Sequence, residues 1–233
     1  MSSFMETRRE KRMILDEYAT VLDDRTYNIA LGGTVLYGLV LNIIMCAALG
    51  NRMMRVNPLM LIIGYFVCCL AGILISSKSD NPVISFIGYN LVVVPVGLVL
   101  SITISSFVMA GAEDLVMQAI VYTAVATSVM ITLSIAFPDF FSKIGSLLFG
   151  ALIGLVLAEI LAIFLFPGSQ SILAWIGAAL FSGYIGYDFW RAQQFPKTLD
   201  NAVDCAVDIY LDIINLFLRI LRILGGSRSS RRR

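Results

Sequence analysis

The chain is 233 residues long, 58% hydrophobic and 14% charged, and its mean hydropathy is +0.86. Soluble domains average about 45–50% apolar and about 25% charged residues, so this composition excludes an ordinary soluble domain and predicts an all-α, polytopic membrane bundle. The net charge of +1 offers no basic surface to nucleic acid. There is no histidine, which removes the commonest general base, the imidazole pH switch and the commonest nitrogen metal ligand. Proton sensing must then rest on carboxylates with displaced pKa. Cys46, Cys68, Cys69 and Cys205 lie in apolar stretches without disulfide or zinc spacing and read as small buried side chains.

Residues 1–27 form a mixed-charge segment, Arg8, Arg9, Lys11 and Arg12 alternating with Glu6, Glu10, Asp16, Glu17, Asp23 and Asp24. It reads as a cytosolic arm with no cleavable signal ahead of it, since the first apolar run starts near Asn28. Seven hydrophobic segments follow, at about 28–49, 57–77, 82–110, 115–137, 142–166, 171–194 and 200–224, each near the roughly 20 residues a bilayer demands. Asn57-Pro58, Asn81-Pro82, Pro138-Asp139 and Pro167-Gly168 mark the boundaries. Segment three is over-long and holds Pro95 and Gly97, which predicts a kink or tilt. Gly32, Gly33 and Gly38 in segment one, and Gly145, Gly150 and Gly154 in segment five, read as helix-packing residues. The hydroxyls of segments three and four, from Ser101 to Ser134, are expected to bond their own helix backbone. A basic tail, expected to be flexible, occupies 225–233, leaving 28–224 as the membrane domain.

Lys and Arg concentrate on the cytoplasmic side of membrane proteins. With the N-terminus inside, segments one to six place Arg8, Arg9, Lys11, Arg12, Arg25, Lys78, Lys143, Arg191 and Lys197 inside and only Arg52 and Arg55 outside. The tail, with Arg228, Arg231, Arg232 and Arg233, is the exception. Either segment seven spans and exports that tail, or it enters and returns.

Segment seven reads NAVDCAVDIYLDIINLFLRILRIL. On a helix, Asn201, Asp208, Asn215 and Arg222 recur every seven residues, as do Asp212 and Arg219, so the polar groups form one seam at about 3.6 residues per turn. Charge inside a bilayer normally faces a bundle interior or water and marks an ion or proton path. Asp200 reads as a helix cap, Asp204 as either a cap or part of the path, and Asp208 and Asp212 lie too deep to cap. Asp188 ends segment six, and a short link containing Pro196 makes segments six and seven antiparallel neighbours, so Asp188 can face the seam. Two adjacent carboxylates in low dielectric share a proton and titrate as a unit with one raised apparent pKa. Such a pair can also attract calcium, a hard cation bound through oxygen. The structural alternative is an ion pair of these acids with Arg191, Arg219 or Arg222 that only holds helices together. Glu159, central in segment five, is either a second element of the path or a neutral acid bonded across helices.

Tyr187-Asp188 late in segment six, then Tyr210-Leu211-Asp212-Ile213-Ile214-Asn215-Leu216-Phe217 in segment seven, resembles the C-terminal signature of the transmembrane Bax inhibitor motif family. Ala124, Thr127 and AFPDFFSKIGSLLF also resemble it, so the match runs from about Leu115 to Leu224. The resemblance implies a seven-helix fold with a central, partly hydrophilic seventh helix. It further implies a pH-sensitive calcium leak gated by Asp188 and Asp212, with calcium bound there transiently. In bacterial relatives a basic residue of helix two latches that pair. Here 59–77 carries no charged side chain, Arg55 and Lys78 flank it, and Arg219, Arg222 and Arg191 are the candidate substitutes for the latch. Asp208, Glu159, Asp204 and Asn215 are the candidate ion path, read from their charge and polarity amid apolar residues and not from the resemblance.

The alternative function is a non-transporting regulator that works through partners such as a membrane protease or cell-death factors. An enzyme is not expected, because Asp212 follows Tyr210-Leu211 and not the Gly-x-Gly of an intramembrane aspartyl protease. Apart from the bilayer and calcium, no cofactor is implied. Compact loops and the lack of any Asn-x-Ser/Thr acceptor favour a bacterial inner membrane over an endomembrane.

Overall fold

The computed structural model describes residues 13, 20–53, 56–79, 81–165 and 170–231. Of the charged arm only 13 and 20–27 are among these residues, and the Pro167-Gly168 turn, Arg55, Arg232 and Arg233 lie outside them. The described fold is all-α, with no strand among the described residues. Its seven long helices are α1 (Asp24–Met53), α2 (Pro58–Lys78), α3 (Pro82–Met109), α4 (Glu113–Ala136), α5 (Pro138–Leu165), α6 (Gln170–Ala192) and α7 (Leu199–Arg231). The first six are long and apolar enough, by length and composition, to cross a membrane. The seventh is as long but carries the charges.

The expected breaks form by simple chemistry. Asn57 and Asn81 accept the backbone N–H of Leu59 and Val83, each at 2.9 Å. Pro58 and Pro82 follow at the first helical position, where a missing N–H costs nothing. At the end of α3 the chain reverses through Gly111, whose φ of +64° suits a residue without Cβ. A single residue, Phe137, separates α4 from Pro138 of α5. Asp23 caps α1 by accepting the Thr26 N–H, and the Thr26 hydroxyl and then that N–H hold its carboxyl below the usual value. Helix α3 runs unbroken through Pro95.

Ser101, Thr103, Ser106, Thr123, Ser128, Thr132 and Ser134 each donate to a carbonyl three or four residues back in their own helix, at 2.7 to 3.1 Å. The glycines divide less simply than expected. A Cβ built at Gly32, Gly33, Gly150 or Gly154 meets nothing within 4 Å among the described residues, so these four are not packing contacts. Gly38 and Gly145 are: a Cβ would lie 2.2 Å from the Tyr89 hydroxyl and 2.5 Å from the Tyr187 hydroxyl. The backbone contact is made by a pair outside that set, Gly72 and Gly88, where a Cβ on either would lie 2.5 or 2.7 Å from the other's carbonyl oxygen.

The chain forms two compact units. The first holds α1 to α3 with Ala192–Tyr210, and the second holds Ala112–Arg191 with Leu211–Arg233. In the first, α3 packs against α1 and α2, and Tyr27, Leu31, Val92 and Val93 are buried in its core. In the second, Phe141, Leu155, Ile185 and Leu216 are buried. Helix α7 contributes Leu199–Tyr210 to one unit and Leu211–Arg231 to the other, and it continues past Leu224 to Arg231.

Candidate functional site

Across Asn201–Tyr210, α7 is buried at every position except Asp208, which is half-buried. A helix buried all round lies in a protein interior, and this explains how one bearing Asp204 at 4% exposure persists. Its polar groups meet hydroxyls of the first unit. Asp200 accepts the Ser85 hydroxyl of α3 at 2.6 Å, and Asp204 accepts that of Ser76 on α2. Both acids therefore bond across helices, which capping alone does not describe. At the last residue before the units divide, Tyr210 donates to Oδ1 of Asn42 at 2.9 Å. The Asn42 amide donates in turn to the carbonyls of Gly38 and Val93. Tyr89 meets the Tyr210 ring edge-on, with centroids 5.7 Å apart.

The link into α7 is fastened to the start of α1. The Leu22 N–H donates to the Lys197 carbonyl at 2.7 Å, the Tyr27 hydroxyl to the Ala192 carbonyl at 2.9 Å, and the Gln193 amide to Asn28 at 2.8 Å. Lys197 lies over the Tyr27 ring and donates to Gln193. Burial lowers the Lys197 pKa, against the pull of Asp24.

The second unit holds the carboxylate pair. Asp188 and Asp212 are each 7% exposed, and the Tyr184 hydroxyl lies within electrostatic reach of both and of Arg191. Arg191, one turn on from Asp188, makes an ion pair with it at 2.9 Å and also lies over the Tyr187 ring. Asn215 turns its amide back to the Leu211 carbonyl at 2.8 Å. Further along α7, Arg219 grips Glu159 of α5 with both guanidinium nitrogens, and Arg222 approaches the same carboxylate at 3.7 Å. Arg228 pairs with Asp114 at the start of α4, at 2.6 Å.

The single seam seen in the sequence is thus divided. Asp204 and Asp208 belong to the first unit, while Asp212, Asn215, Arg219 and Arg222 belong to the second with Asp188 and Glu159. Of the basic candidates, Arg191 meets Asp188, and Arg219 and Arg222 meet Glu159. Tyr184, Asn42, Ser76 and Ser85 were not singled out from sequence. Asn42 had a readable signal, as an amide within an apolar helix. The serines had none, because hydroxyls recur throughout these helices. Among the described residues no group of three or more His, Cys, Asp or Glu is placed to hold a metal ion, so any calcium at Asp188 and Asp212 would rest on those two carboxylates.

Fold and site together define an all-α, multi-pass integral membrane protein with a polar seventh helix and a buried carboxylate pair. The sequence model of the family described as "Inhibitor of apoptosis-promoting Bax1" matches residues 19–229, and the chain belongs to that family. Among its relatives is an uncharacterized protein of Helicobacter pylori (strain J99), 36% identical over 112 residues, 47% of each chain. The "Golgi anti-apoptotic protein" of Vaccinia virus (strain Lister) is 35% identical over 128 residues, 54% of each chain. An uncharacterized membrane protein of Streptococcus pyogenes serotype M3 is 31% identical over 130 residues, 53% of this chain and 57% of that one. The chain spans about half the length of the curated relatives it matches. The six long apolar helices support an integral membrane location.

Proposed function

We propose that the protein is a calcium leak whose opening depends on pH, with Asp188 and Asp212 as sensor and gate. The observation that carries this reading is the burial of two acids in one unit, each 7% exposed, with the Tyr184 hydroxyl within electrostatic reach of both and Arg191 against one of them. Two carboxylates so confined do not both ionise freely, so a shared proton sets their charge and thus their attraction for a cation. Calcium binds through oxygen ligands, and this site offers two carboxylates and a phenol. In this reading 28–224 is the membrane domain, 1–27 a cytosolic arm and 225–233 the basic tail.

The test is calcium flux into liposomes holding the purified full-length protein. Flux should change between about pH 5 and 8, and Asp188→Asn and Asp212→Asn should each abolish that pH response. Identical profiles for wild type and both variants would refute the carboxylate gate.

A second reading is favoured by the viral relative, whose printed name is anti-apoptotic. Here the protein is a membrane regulator of cell death or stress that works through protein partners without ion flux. It predicts no calcium flux at any pH and unchanged regulatory activity in the two aspartate variants.

A further inference from the structure

We propose that Arg219 is the closing element of the cation path, a positive block tethered by Glu159 and seated against Gly177. This rests on the calcium-leak reading of the same unit and extends it to a residue beyond the gate.

Arg219 follows Asp212 by seven residues on one face of α7, about 10 Å along the axis. Helix α6 runs the other way, and Phe181 precedes Asp188 by the same seven residues. The Arg219 guanidinium lies over the Phe181 ring, 5.8 Å from its centre. Both helices therefore carry the arginine about two turns beyond the acids, in the same direction.

The seat is built to fit. A Cβ at Gly177 would fall 2.8 Å from Nε and 2.9 Å from Cδ of Arg219. A side chain at that position would have to displace the arginine stem. The Arg219 side chain is 12% exposed and held by a two-point grip on Glu159, a geometry that a guanidinium fork makes and an ammonium does not. The charge does not cancel at this level. Arg219 and Arg222 share the single carboxylate of Glu159, and Arg222 is half exposed at 3.7 Å. The groups from the packed elements are thus Glu159 of α5, Gly177 and Phe181 of α6, and Arg219 and Arg222 of α7, with an excess of one positive charge. A cation leaving the acids along α7 meets that excess, and like charge in a confined site repels it. Glu159 then serves as the tether that keeps the block in place, outside the ion path.

The experiment measures resting calcium leak at neutral pH in liposomes, with the full-length protein and a trapped indicator. Arg219→Gln should raise the leak about tenfold, and Glu159→Gln, which frees the fork but keeps both arginine charges, should raise it by less. The double variant should leak no more than Arg219→Gln alone, because both changes disable one element. Arg219→Lys, which keeps the charge but loses the fork, should leak less than Arg219→Gln. If Arg219→Gln and Glu159→Gln lower the melting temperature yet leave the leak at the wild-type level, the pair is only structural and the proposal fails. The calcium-leak reading fails separately, by an unaltered flux in Asp212→Asn. An absence of flux from every variant, Arg219→Gln included, overturns both.

Discussion

Asn42 makes three hydrogen bonds from one amide in an otherwise apolar helix. It accepts from Tyr210 and donates to two carbonyls, that of Val93 lying on α3. An interhelical bond in a membrane protein contributes about 0.6 kcal/mol on average and up to about 1.7, and a buried partner left unmatched costs more. Asn42→Ala loses all three bonds, whereas Tyr210→Phe loses one. The first should destabilise by roughly 1–2 kcal/mol and the second by roughly 0.5–1. Thermal unfolding in detergent checks the order; equal losses would mean that Asn42 acts only through Tyr210. Gly38 belongs to the same group, since its missing Cβ makes room for the Tyr89 hydroxyl.

Between elements, small residues act where a second helix comes close, and at one crossing that approach is backbone to backbone. Helices α2 and α3 approach at Gly72 and Gly88, with Ser76 one turn further on. Ser76 also supplies the hydroxyl that Asp204 accepts, so this crossing brings a polar partner to α7. Gly72→Ala places a methyl against a carbonyl and should cost about 1–3 kcal/mol as overpacking. Gly32→Ala meets open space and should be neutral or gain about 0.5–1 kcal/mol from the helix preference of alanine. Comparing the melting temperatures of the two variants decides whether contact, or glycine content as such, governs the helix. A Gly72→Ala protein as stable as wild type would show that the crossing yields without cost.

At the scale of the whole molecule, the ends of α7 bear on its topology. Its start is fastened to the start of α1 through Leu22, Tyr27 and Asn28. Its end pairs with Asp114 at the start of α4. In the spanning reading of α7, Thr198 and Ser227 lie on opposite sides of the bilayer. Ser227→Cys, at an exposed position in a background with Cys46, Cys68, Cys69 and Cys205 replaced, should react with an impermeant maleimide in intact cells. Thr198→Cys should react only after permeabilisation. Labelling of both only after permeabilisation would mean that α7 returns.

The sequence by itself determined the number, type and approximate limits of the helices, because burial in lipid demands long apolar runs and Asn-Pro, Gly and Pro punctuate them locally. It also singled out Asp188, Asp212, Glu159 and Arg219, since charge amid apolar residues is conspicuous whatever surrounds it. Which charges meet was not legible there. The seven-residue spacing joined Asp208, Asp212, Asn215 and Arg219 into one seam, yet contacts between segments far apart in sequence divide that seam between two units. Arg219 could be assigned to any acid by sequence, and only the placing of α5 beside α7 gives it to Glu159. Of the six glycines read as packing residues, Gly38 and Gly145 pack and the other four meet nothing among the described residues, for the same reason. Glycine is recognisable in a sequence, but a close approach belongs to two helices at once, so Gly72 and Gly88 acquire their role only when their backbones are brought together.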